Sequence, residues 1–423
     1  NLSAIQIEED CSILAIVGSG MTGTKGIAAR FFNAISLSKT NVIAIAQGSS
    51  EKNISIVIKS KDMNHATSFV HDAFFNSNKQ IAIGIMGYGS IGQELLKQIL
   101  DERKILQERE NISLDILALS NSQKMMLSED NIDLKSASNV TEKIEALEQS
   151  NTNEMINHIL RQSAYGRIII DCSASDEAPD EYSNIFENGI SIVTANKKGL
   201  SGNIDRYKSI MNSKNLNEAD FLYETTAGAA LPFVKSVSDI ASSSDSIKKI
   251  EGVFSGTLAY LFNSYDASMP FSELVNDALQ QGFTEPDPRD DLSGMDVARK
   301  LVILAREMGL DMNVNDIHVE SLVDPNHLSL SVNEYLEAMS SGDQAMNDRY
   351  QNALENNEKL SYVAQIDENG NASVSLKNLS NDHSFFSLKG TENIIAIHSD
   401  YYSNYPLVLR GPGAGSEVTA SGL

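Results

Sequence analysis

Residues 282–300 bring five carboxylates and three basic side chains together in one short stretch, GFTEPDPRDDLSGMDVARK. Pro286 and Pro288 restrict the backbone of its first half, so this part is predicted to be a rigid loop. A helix is predicted from about residue 294 to residue 308, because apolar residues recur there at helical spacing. Its inward-facing positions are Val297, Leu301, Leu304 and Met308.

Asp296 and Lys300 are four residues apart, so on this helix their side chains share one face. The plain interpretation is a surface ion pair that contributes little to stability. In a cleft, Lys300 would instead donate a proton to a forming alkoxide, with its pKa set by burial and by neighbouring carboxylates. Asp296 and Glu285 would then bind the ammonium group of a substrate.

A glycine-rich turn, Gly87-x-Gly89-x-x-Gly92, follows the apolar run of residues 81–86 and opens onto a helix with an apolar face. The first glycine permits a tight turn, the second lets backbone approach a pyrophosphate, and the third lets helix pack close to strand. The pyrophosphate would sit at the helix N-terminus, where free N–H groups and the helix dipole favour an anion. The candidate cofactor contacts are Gly87, Tyr88, Gly89, Ser90, Ile91 and Gly92.

The choice of dinucleotide depends on the end of the next predicted strand, residues 113–119. An NAD-preferring site needs an Asp or Glu there to bind the ribose 2′-hydroxyl. This chain has Ser-Asn-Ser-Gln-Lys at residues 120–124 instead, so no carboxylate repels a 2′-phosphate and Lys124 would attract it. We therefore expect that NADP is preferred or that both cofactors are accepted.

Two further strand ends carry polar candidates. The run 167–172 leads to Ser173, which would contact ribose or nicotinamide, although capping a helix N-terminus is an equal alternative. The run 190–194 leads to Lys197 and Lys198, and the carboxyl ends of parallel strands face the ligand cleft. Of these two lysines, Lys197 is the better candidate for the site.

A loop of small residues, Thr-Thr-Ala-Gly-Ala-Ala-Leu-Pro at 225–232, follows Glu224. Converging carbonyls of such a loop, together with the Glu224 carboxylate, would hold a hard monovalent cation through oxygen ligands. Simple packing of the loop is the alternative, and the sequence alone favours it.

The N-terminal region repeats the glycine pattern at residues 18–23 but is predicted to fold differently. Its pattern is strand, helix, strand, strand, helix, with strands near 13–17, 41–46 and 53–58. The last two strands are joined by a hairpin-like connection, which favours a small antiparallel sheet. A dinucleotide domain needs parallel crossovers instead, so this second glycine pattern is not expected to bind nucleotide.

Composition narrows the class of protein. The 423 residues are enough for two or three domains, and a net charge of −24 argues against nucleic acid or an anionic membrane as partner. Two cysteines suit a reducing compartment, and no apolar run approaches the length of a membrane span. The chain begins with Asn1 rather than Met, so we expect that it is a fragment of a longer protein.

Residues 17–21 (VGSGM) and 41–51 (NVIAIAQGSSE) resemble the second ACT regulatory domain of aspartokinases. In that family, ACT domains pair and bind an amino-acid effector between them. The resemblance implies that Asn41 and Gln47 contact the polar groups of an effector, expected to be threonine. The alternative is that both side chains only satisfy backbone groups in turns.

Nearly the whole chain resembles homoserine dehydrogenase, and in particular the C-terminal half of bifunctional aspartokinase–homoserine dehydrogenase. The resemblance is carried by the motifs at 87–92, 194–198, 224–232, 254–260, 282–300 and 407–411. It implies that Lys300 is the proton donor, that Asp296, Glu285 and Gly282 contact the amino-acid substrate, and that Asp290 belongs to the same polar site. It further implies a place for Lys197 between substrate and cofactor, for Ser173 and Gly413 beside the cofactor, and a sodium site. The implied sodium ligands are Glu224 and the carbonyls of Ala227, Ala229 and Leu231.

The expected fold is α/β: a small α+β ACT-like domain at 1–77, a Rossmann-type dinucleotide domain at 78–223, and an α+β substrate and dimerisation domain at 224–405. The chain is expected to return to the dinucleotide domain at about 406–423. We expect reduction of L-aspartate 4-semialdehyde to L-homoserine, with no kinase activity, in a cytoplasmic or plastid homodimer or larger homo-oligomer. The alternative is a threonine-sensing regulatory protein in which the dinucleotide fold is only a scaffold.

Overall fold

The computed structural model describes residues 7–75, 79–132, 148–162, 164–217 and 219–423. The chain divides into two compact units, one holding residues 1–84 and 99–169 and the other residues 85–98 and 170–423. None of the helices in these described ranges is both long and apolar enough to cross a membrane.

The N-terminal sheet is antiparallel, as its sequence pattern predicts. It consists of β1 (Cys11–Val17), β2 (Ala44–Gln47) and β3 (Asn53–Lys59), in the order β1-β3-β2, with both pairings antiparallel. Helices α1 (Ile27–Leu37) and α2 (Met63–Phe75) supply the other half of its core. The buried residues of this core are Leu14, Phe31, Ala34, Ile35, Ile54, Ile56, Ile58, Ala66 and Val70. This topology confirms that the glycine pattern at 18–23 does not belong to a Rossmann-type fold.

The glycine turn at 87–92 follows a strand of a seven-stranded sheet, whose order is β10-β9-β8-β4-β5-β6-β7. The strands are β4 (Lys79–Met86), β5 (Ile112–Ser120), β6 (Lys124–Leu127), β7 (Glu148–Gln149), β8 (Gly166–Asp171), β9 (Ser191–Thr194) and β10 (Phe221–Leu222). Helix α3 (Ser90–Glu110) begins inside the turn, as predicted. The other helices of this region are α4 (Thr152–Arg161), α5 (Tyr182–Glu187), α6 (Lys198–Ser201) and α7 (Ile204–Leu216).

A six-stranded sheet forms the core of the C-terminal region, in the order β12-β14-β13-β11-β15-β16. Its strands are β11 (Ile247–Val253), β12 (His318–Val319), β13 (Glu358–Asp367), β14 (Ala372–Ser380), β15 (Glu392–Ser399) and β16 (Leu407–Pro412). Long strands and mostly antiparallel neighbours agree with the mixed sheet that the sequence predicts.

Helices accompany this second sheet. They are α8 (Phe233–Ala241), α9 (Gly256–Ser264), α10 (Phe271–Gln280), α11 (Pro288–Leu292), α12 (Met295–Glu307), α13 (Val332–Ala338), α14 (Asp343–Glu355) and α15 (Ser416–Gly422). Helix α12 is the one predicted from residue 294, and its apolar side is fully buried, with Leu301 and Leu304 at 0 % exposure.

The start of α12 depends on Gly294. This residue precedes the helix with φ of 72°, a left-handed conformation that costs an L-residue about 1–2 kcal/mol. A Cβ atom here would lie 2.2 Å from the Tyr362 hydroxyl, which itself donates to the Glu320 carbonyl at 2.6 Å. Glycine therefore lets the helix begin close to β13, and this start places Asp296 and Lys300.

Substituting Gly294 by Ala should destabilise the protein more than the matched change Gly309→Ala. Gly309 also has positive φ, 87°, but its Cβ would meet nothing within 4 Å. Both changes cost about 1–2 kcal/mol in backbone strain. Gly294→Ala adds an overpacking cost of about 1–3 kcal/mol. Urea denaturation of the two variants measures the difference, and equal losses of unfolding free energy would contradict this account.

Candidate active site

A cavity of about 540 Å³ in the second compact unit collects most of the side chains that the sequence singled out. It is bordered by the first turn of α3, the loop after β9, the loop before α11, the start of α12 and the segment after β16. The predicted site residues that line it are Ser90, Ile91, Lys197, Ala229, Gly282, Glu285, Asp296, Lys300 and Gly413. Residues from distant parts of the chain therefore meet at one place.

Asp296 bridges two lysines at this cavity. Its Oδ2 atom lies 2.9 Å from Lys300 Nζ, and its Oδ1 atom lies 2.8 Å from Lys197 Nζ. Lys300 also donates to the Phe254 carbonyl at 2.6 Å. An ammonium has three protons, so these two contacts leave one proton of Lys300 for a molecule in the cavity.

Burial and charge act in opposite directions on this cluster. Only 12 % of the Lys300 side chain is exposed. Burial lowers the pKa of Lys300 below its usual 10.5, while Asp296 raises it and Lys197 lowers it further. For Asp296, burial acts to raise the pKa, but the two lysine charges outweigh it and hold that pKa below its usual range. The surface ion pair interpretation therefore does not describe Lys300.

Two further carboxylates that line the cavity, those of Glu285 and Asp291, lie close to each other. The Glu285 N–H donates to Asp291 Oδ2 at 2.8 Å. Loss of hydration raises the pKa of Glu285, and the charges of Asp291, Asp290 and Asp296 raise it further. Burial likewise raises the pKa of Asp291. A cation placed between these carboxylates would relieve that repulsion.

Asp291 was missed at the sequence level, where Asp290 was singled out. Asp291 lines the cavity, whereas the Asp290 side chain is exposed and is not part of the lining; its charge still raises the pKa of Asp291. The two are adjacent in α11, so the direction of this short helix decides which one faces inward. Thr257 was missed as well: it lines the cavity and donates to the Phe283 carbonyl at 2.8 Å.

The glycine turn has the geometry that its spacing predicts. Gly87 has φ of 92°, and a Cβ there would lie 2.6 Å from the Ser173 nitrogen. A Cβ on Gly92 would lie 2.2 Å from the Gly87 carbonyl oxygen, so the helix packs tightly on the turn. A Cβ on Gly89 would meet nothing within 4 Å, which leaves exposed backbone for a ligand. These residues fit a dinucleotide pyrophosphate at the N-terminus of α3, whereas Tyr88 is buried at 8 % exposure.

Ser173 lies beside the glycine turn, and Gly413 lines the cavity. The Ser173 N–H donates to the buried carboxylate of Asp171 at 2.7 Å. The Ser173 hydroxyl accepts from the Ser175 N–H at 3.4 Å, a local contact of the kind that the capping alternative describes. Gly413 lines the cavity, and the following helix α15 returns to α3, where Gln98 donates to the Glu417 carbonyl at 2.9 Å.

Glu224 has a structural role in the fold. Its two carboxylate oxygens accept from the N–H groups of Val234 at 2.8 Å and Lys235 at 2.9 Å, which satisfies the start of α8. Ala227 and Ala229 are buried, Leu231 is partly buried, and the loop turns at Gly228 and Ala229 with φ of 91° and 53°. The sodium assignment for Glu224 and these carbonyls stays a prediction.

The N-terminal sheet carries its own cavity of about 310 Å³ beside the loop before α1. Gln47 and Glu51 line it, and the Glu51 carboxylate accepts from the Gly23 N–H at 3.0 Å. Asn41 is exposed and precedes β2, and it is not among the residues that line this cavity. Of the two predicted effector contacts, Gln47 therefore lines this cavity and Asn41 does not.

The fold and the glycine turn define a dinucleotide-binding protein of the α/β class with a small antiparallel domain before it. Residues 87–224 match the family model described as the NAD binding domain of homoserine dehydrogenase, and residues 232–423 match the model described as homoserine dehydrogenase. Residues 14–74 match an ACT domain. The chain belongs to the homoserine dehydrogenase family.

Curated relatives agree with this assignment. A chloroplastic bifunctional aspartokinase/homoserine dehydrogenase 1 of Zea mays is 40 % identical over 427 residues, covering 100 % of this chain and 46 % of the relative. A bifunctional aspartokinase/homoserine dehydrogenase of Haemophilus influenzae is 34 % identical over 424 residues, covering 100 % of this chain and 51 % of the relative. The chain therefore spans about half the length of these relatives.

Solved structures share the fold. A Candida auris protein of unknown function superposes with a TM-score of 0.73 and 31 % identity, covering 82 % of this chain and 96 % of that one. A hyperthermophilic archaeal homoserine dehydrogenase in complex with NADPH superposes with a TM-score of 0.62 and 22 % identity, covering 81 % of this chain and 95 % of that one.

Gly89 and Gly92 of the turn should respond differently to the same substitution. Gly92→Ala places a Cβ against backbone and should lower the thermal midpoint of unfolding. Gly89→Ala meets no protein atom and should leave that midpoint unchanged, while its methyl obstructs the approach of a pyrophosphate. We expect a roughly ten-fold higher Kd for the dinucleotide, about 1.4 kcal/mol. Dinucleotide titration and thermal unfolding measure both effects. Unchanged binding by Gly89→Ala would exclude the turn as the pyrophosphate site.

Proposed function

We propose that this chain reduces L-aspartate 4-semialdehyde to L-homoserine with a nicotinamide dinucleotide. One observation carries the proposal: the Lys300 ammonium, with one proton left to donate, faces the same cavity as Ser90 and Ile91 of the glycine turn. A proton donor beside a dinucleotide turn is what the reduction of a carbonyl requires. The bound dinucleotide would supply the hydride.

Lys300 stabilises the charge that develops on the aldehyde oxygen and donates its proton there. Burial lowers the pKa of this ammonium below 10.5, which brings it closer to physiological pH and makes it a stronger acid. The Phe254 carbonyl and Asp296 fix its direction through contacts of 2.6 and 2.9 Å. No reorganisation of the lysine is then needed when the oxygen acquires charge.

Asp296 acts chiefly by holding the two lysines, since each of its oxygens already contacts an ammonium. The substrate ammonium is therefore bound by Glu285 and Asp291, since burial raises the pKa of both and repulsion from Asp291 raises that of Glu285 further. Gly282 lies beside them at the cavity. A substrate without an α-ammonium leaves this repulsion in place and should bind poorly.

The cofactor proposal is NADP, or both dinucleotides. β5 ends at Ser120, and the turn that follows contains no carboxylate before Lys124. The Asn121 side chain accepts from the N–H groups of Gln123 at 2.8 Å and Lys124 at 2.7 Å, which fixes this turn. The archaeal structure with the same fold holds NADPH.

The ACT unit supports a threonine effector, because Gln47 lines a cavity with charged and hydroxyl neighbours. The alternative that the whole chain is a threonine-sensing binding protein is not favoured, since it leaves the lysine–carboxylate cavity without a role. For sodium, each Glu224 oxygen that accepts one N–H retains a further lone pair for a cation.

A homodimer is the proposed assembly, because the six-stranded sheet is broad and carries partly exposed side chains such as Val408 at 39 %. The free cysteines, Cys11 and Cys172, suit the cytoplasm or a plastid. Sedimentation equilibrium tests the dimer, and a monomer at micromolar concentration would contradict it. Imaging of the tagged protein in its own cells tests the compartment.

Lys300→Ala should lower kcat for semialdehyde reduction by roughly 10²–10⁴-fold, while the affinity for the dinucleotide stays near that of the unsubstituted protein. Because the protonated lysine is the acid, the rate of reduction should fall as pH rises through its lowered pKa, below 10.5. The reverse oxidation needs the neutral amine and should rise over the same range. Steady-state rates against pH in both directions measure this.

Arg299→Ala is the matched control for this experiment. Arg299 is adjacent on α12 but lines a different cavity, with Lys198 and Asp316. Its substitution should leave kcat and the pH profile unchanged. If Lys300→Ala keeps full kcat, Lys300 is not the proton donor and the proposed mechanism fails.

NADPH should give a kcat/KM at least equal to that with NADH, because no carboxylate at residues 120–124 opposes a 2′-phosphate. Initial rates with each cofactor at saturating semialdehyde measure the ratio. A strong preference for NADH would contradict the proposal.

The same assay of semialdehyde reduction tests the proposed threonine effector and the proposed sodium ion. Threonine should inhibit the unsubstituted protein more than Gln47→Ala, and replacing K⁺ by Na⁺ should raise the rate. If threonine inhibits both proteins equally, the effector proposal fails. If the rates in K⁺ and Na⁺ are equal, the sodium proposal fails.

A further inference from the structure

We propose that the buried carboxylate of Asp171 is a positioning residue for Lys197 and acts through the side chain of Asn196. The inference rests on the proposed function, because it explains how Lys197 is held against Asp296 in the cavity proposed as the active site. All the residues involved belong to one compact unit.

Asp171 is fully buried, at 0 % exposure, at the end of β8. Among the residues that the structure describes, no basic side chain lies within ion-pair distance of it. Hydrogen bonds hold it instead: Tyr182 donates its hydroxyl to Oδ2 at 2.7 Å, Asn196 Nδ2 donates to Oδ2 at 3.1 Å, and the Ser173 N–H donates to Oδ1 at 2.7 Å.

These contacts satisfy the acceptor atoms of the buried carboxyl group. The Asn196 amide and the Ser173 N–H can only donate, so both carboxylate oxygens act as acceptors. Burial raises the pKa of Asp171, and the hydrogen bonds oppose that rise. A buried polar group that loses its hydrogen bonds is costly, so the donors around Asp171 are held in a defined arrangement.

Asn196 transmits this arrangement to the next residue along the chain. Its Nδ2 atom also donates to the Ser175 carbonyl at 2.9 Å, and its Oδ1 atom accepts from the Lys198 N–H at 2.9 Å. Its own N–H donates to the Thr194 hydroxyl at 2.9 Å. The backbone is thus held on both sides of Lys197.

Lys197 is left with little backbone freedom. Its carbonyl accepts from the N–H groups of Leu200 at 3.1 Å and Ser201 at 2.8 Å, which fixes it at the start of α6. From there its ammonium reaches Asp296 Oδ1 at 2.8 Å. A shift of this backbone would move one of the two cations that hold Asp296.

The displacement has an electrostatic consequence at Lys300. The positive charge of Lys197 lowers the pKa of Lys300, while Asp296 raises it. If Lys197 moves away, the repulsion between its positive charge and that of Lys300 is lost. Lys300 then no longer shares the Asp296 carboxylate with Lys197. The pKa of Lys300 then rises, and the alkaline fall in reduction rate moves to higher pH.

The experiment compares Asp171→Asn with Asn196→Ala in the full chain. Asp171→Asn keeps the volume of the side chain but replaces an acceptor oxygen by an NH₂ group, which faces a donor. Both variants should lower kcat by roughly 10–100-fold, because small misplacements of reacting groups cost about this much. Both should move the alkaline limb of the pH profile upward. The double variant should be no worse than the more damaging single one, because both act on one path.

Tyr182→Phe is the matched control. It removes a different donor from the same carboxylate and leaves the Asn196 contact intact. It should lower the thermal midpoint of unfolding, as Asp171→Asn should, yet keep kcat within about two-fold of the unsubstituted protein because the positioning contact survives. Its pH profile should not move.

Two results would overturn the inference. One is an unchanged kcat and pH profile in Asp171→Asn. The other is an equal loss of kcat in Tyr182→Phe, which would mean that Asp171 only stabilises the fold. Lys197→Ala separates the failures: if it leaves turnover unchanged, the proposed use of this cavity fails and not merely the role of Asp171. If Asp171→Asn does not fold, Asn196→Ala carries the same test.

Discussion

The contact on which the candidate site depends is the double bridge from Asp296 to Lys300 and Lys197. One carboxylate contacts two ammonium groups at 2.9 and 2.8 Å, in a place where Lys300 is largely removed from water. Without Asp296 the two like charges would repel each other across the cavity, and the cost of burying Lys300 would be uncompensated. The start of α12, which carries Asp296, therefore has to lie within ion-pair distance of the turn after β9, which carries Lys197.

The fold meets this requirement through close backbone packing. Glycine at 294 lets α12 begin against β13, and glycines at 87 and 92 let α3 begin against the turn and against the segment at Ser173 that follows β8. Each of these positions is one where a Cβ would collide with a backbone or hydroxyl atom. The polar site is thus surrounded by elements that have little freedom to shift, which suits preorganised chemistry.

Charge is distributed so that the cavity suits a small zwitterion. Its lining includes the carboxylates Glu285, Asp291 and Asp296 and the ammonium groups of Lys197 and Lys300. Asp296 contacts both lysines, while burial and neighbouring carboxylates raise the pKa values of Glu285 and Asp291. In the proposed function, Lys300 donates a proton, and Glu285 with Asp291 attracts an ammonium.

The sequence by itself determined the helix predicted at 294–308, the antiparallel N-terminal sheet, the glycine turn and the pairing of Asp296 with Lys300, because each follows from local spacing. The tertiary structure decided that Asp291 faces the cavity while Asp290 does not, that Glu224 caps α8, and that Lys197 shares Asp296 with Lys300. It also showed that Asp171 is buried and hydrogen-bonded; in the sequence, this residue only lies near the end of a predicted strand. These facts depend on contacts between residues about 10 to 100 positions apart, and spacing along a chain carries no information about which distant donors will meet a given carboxylate.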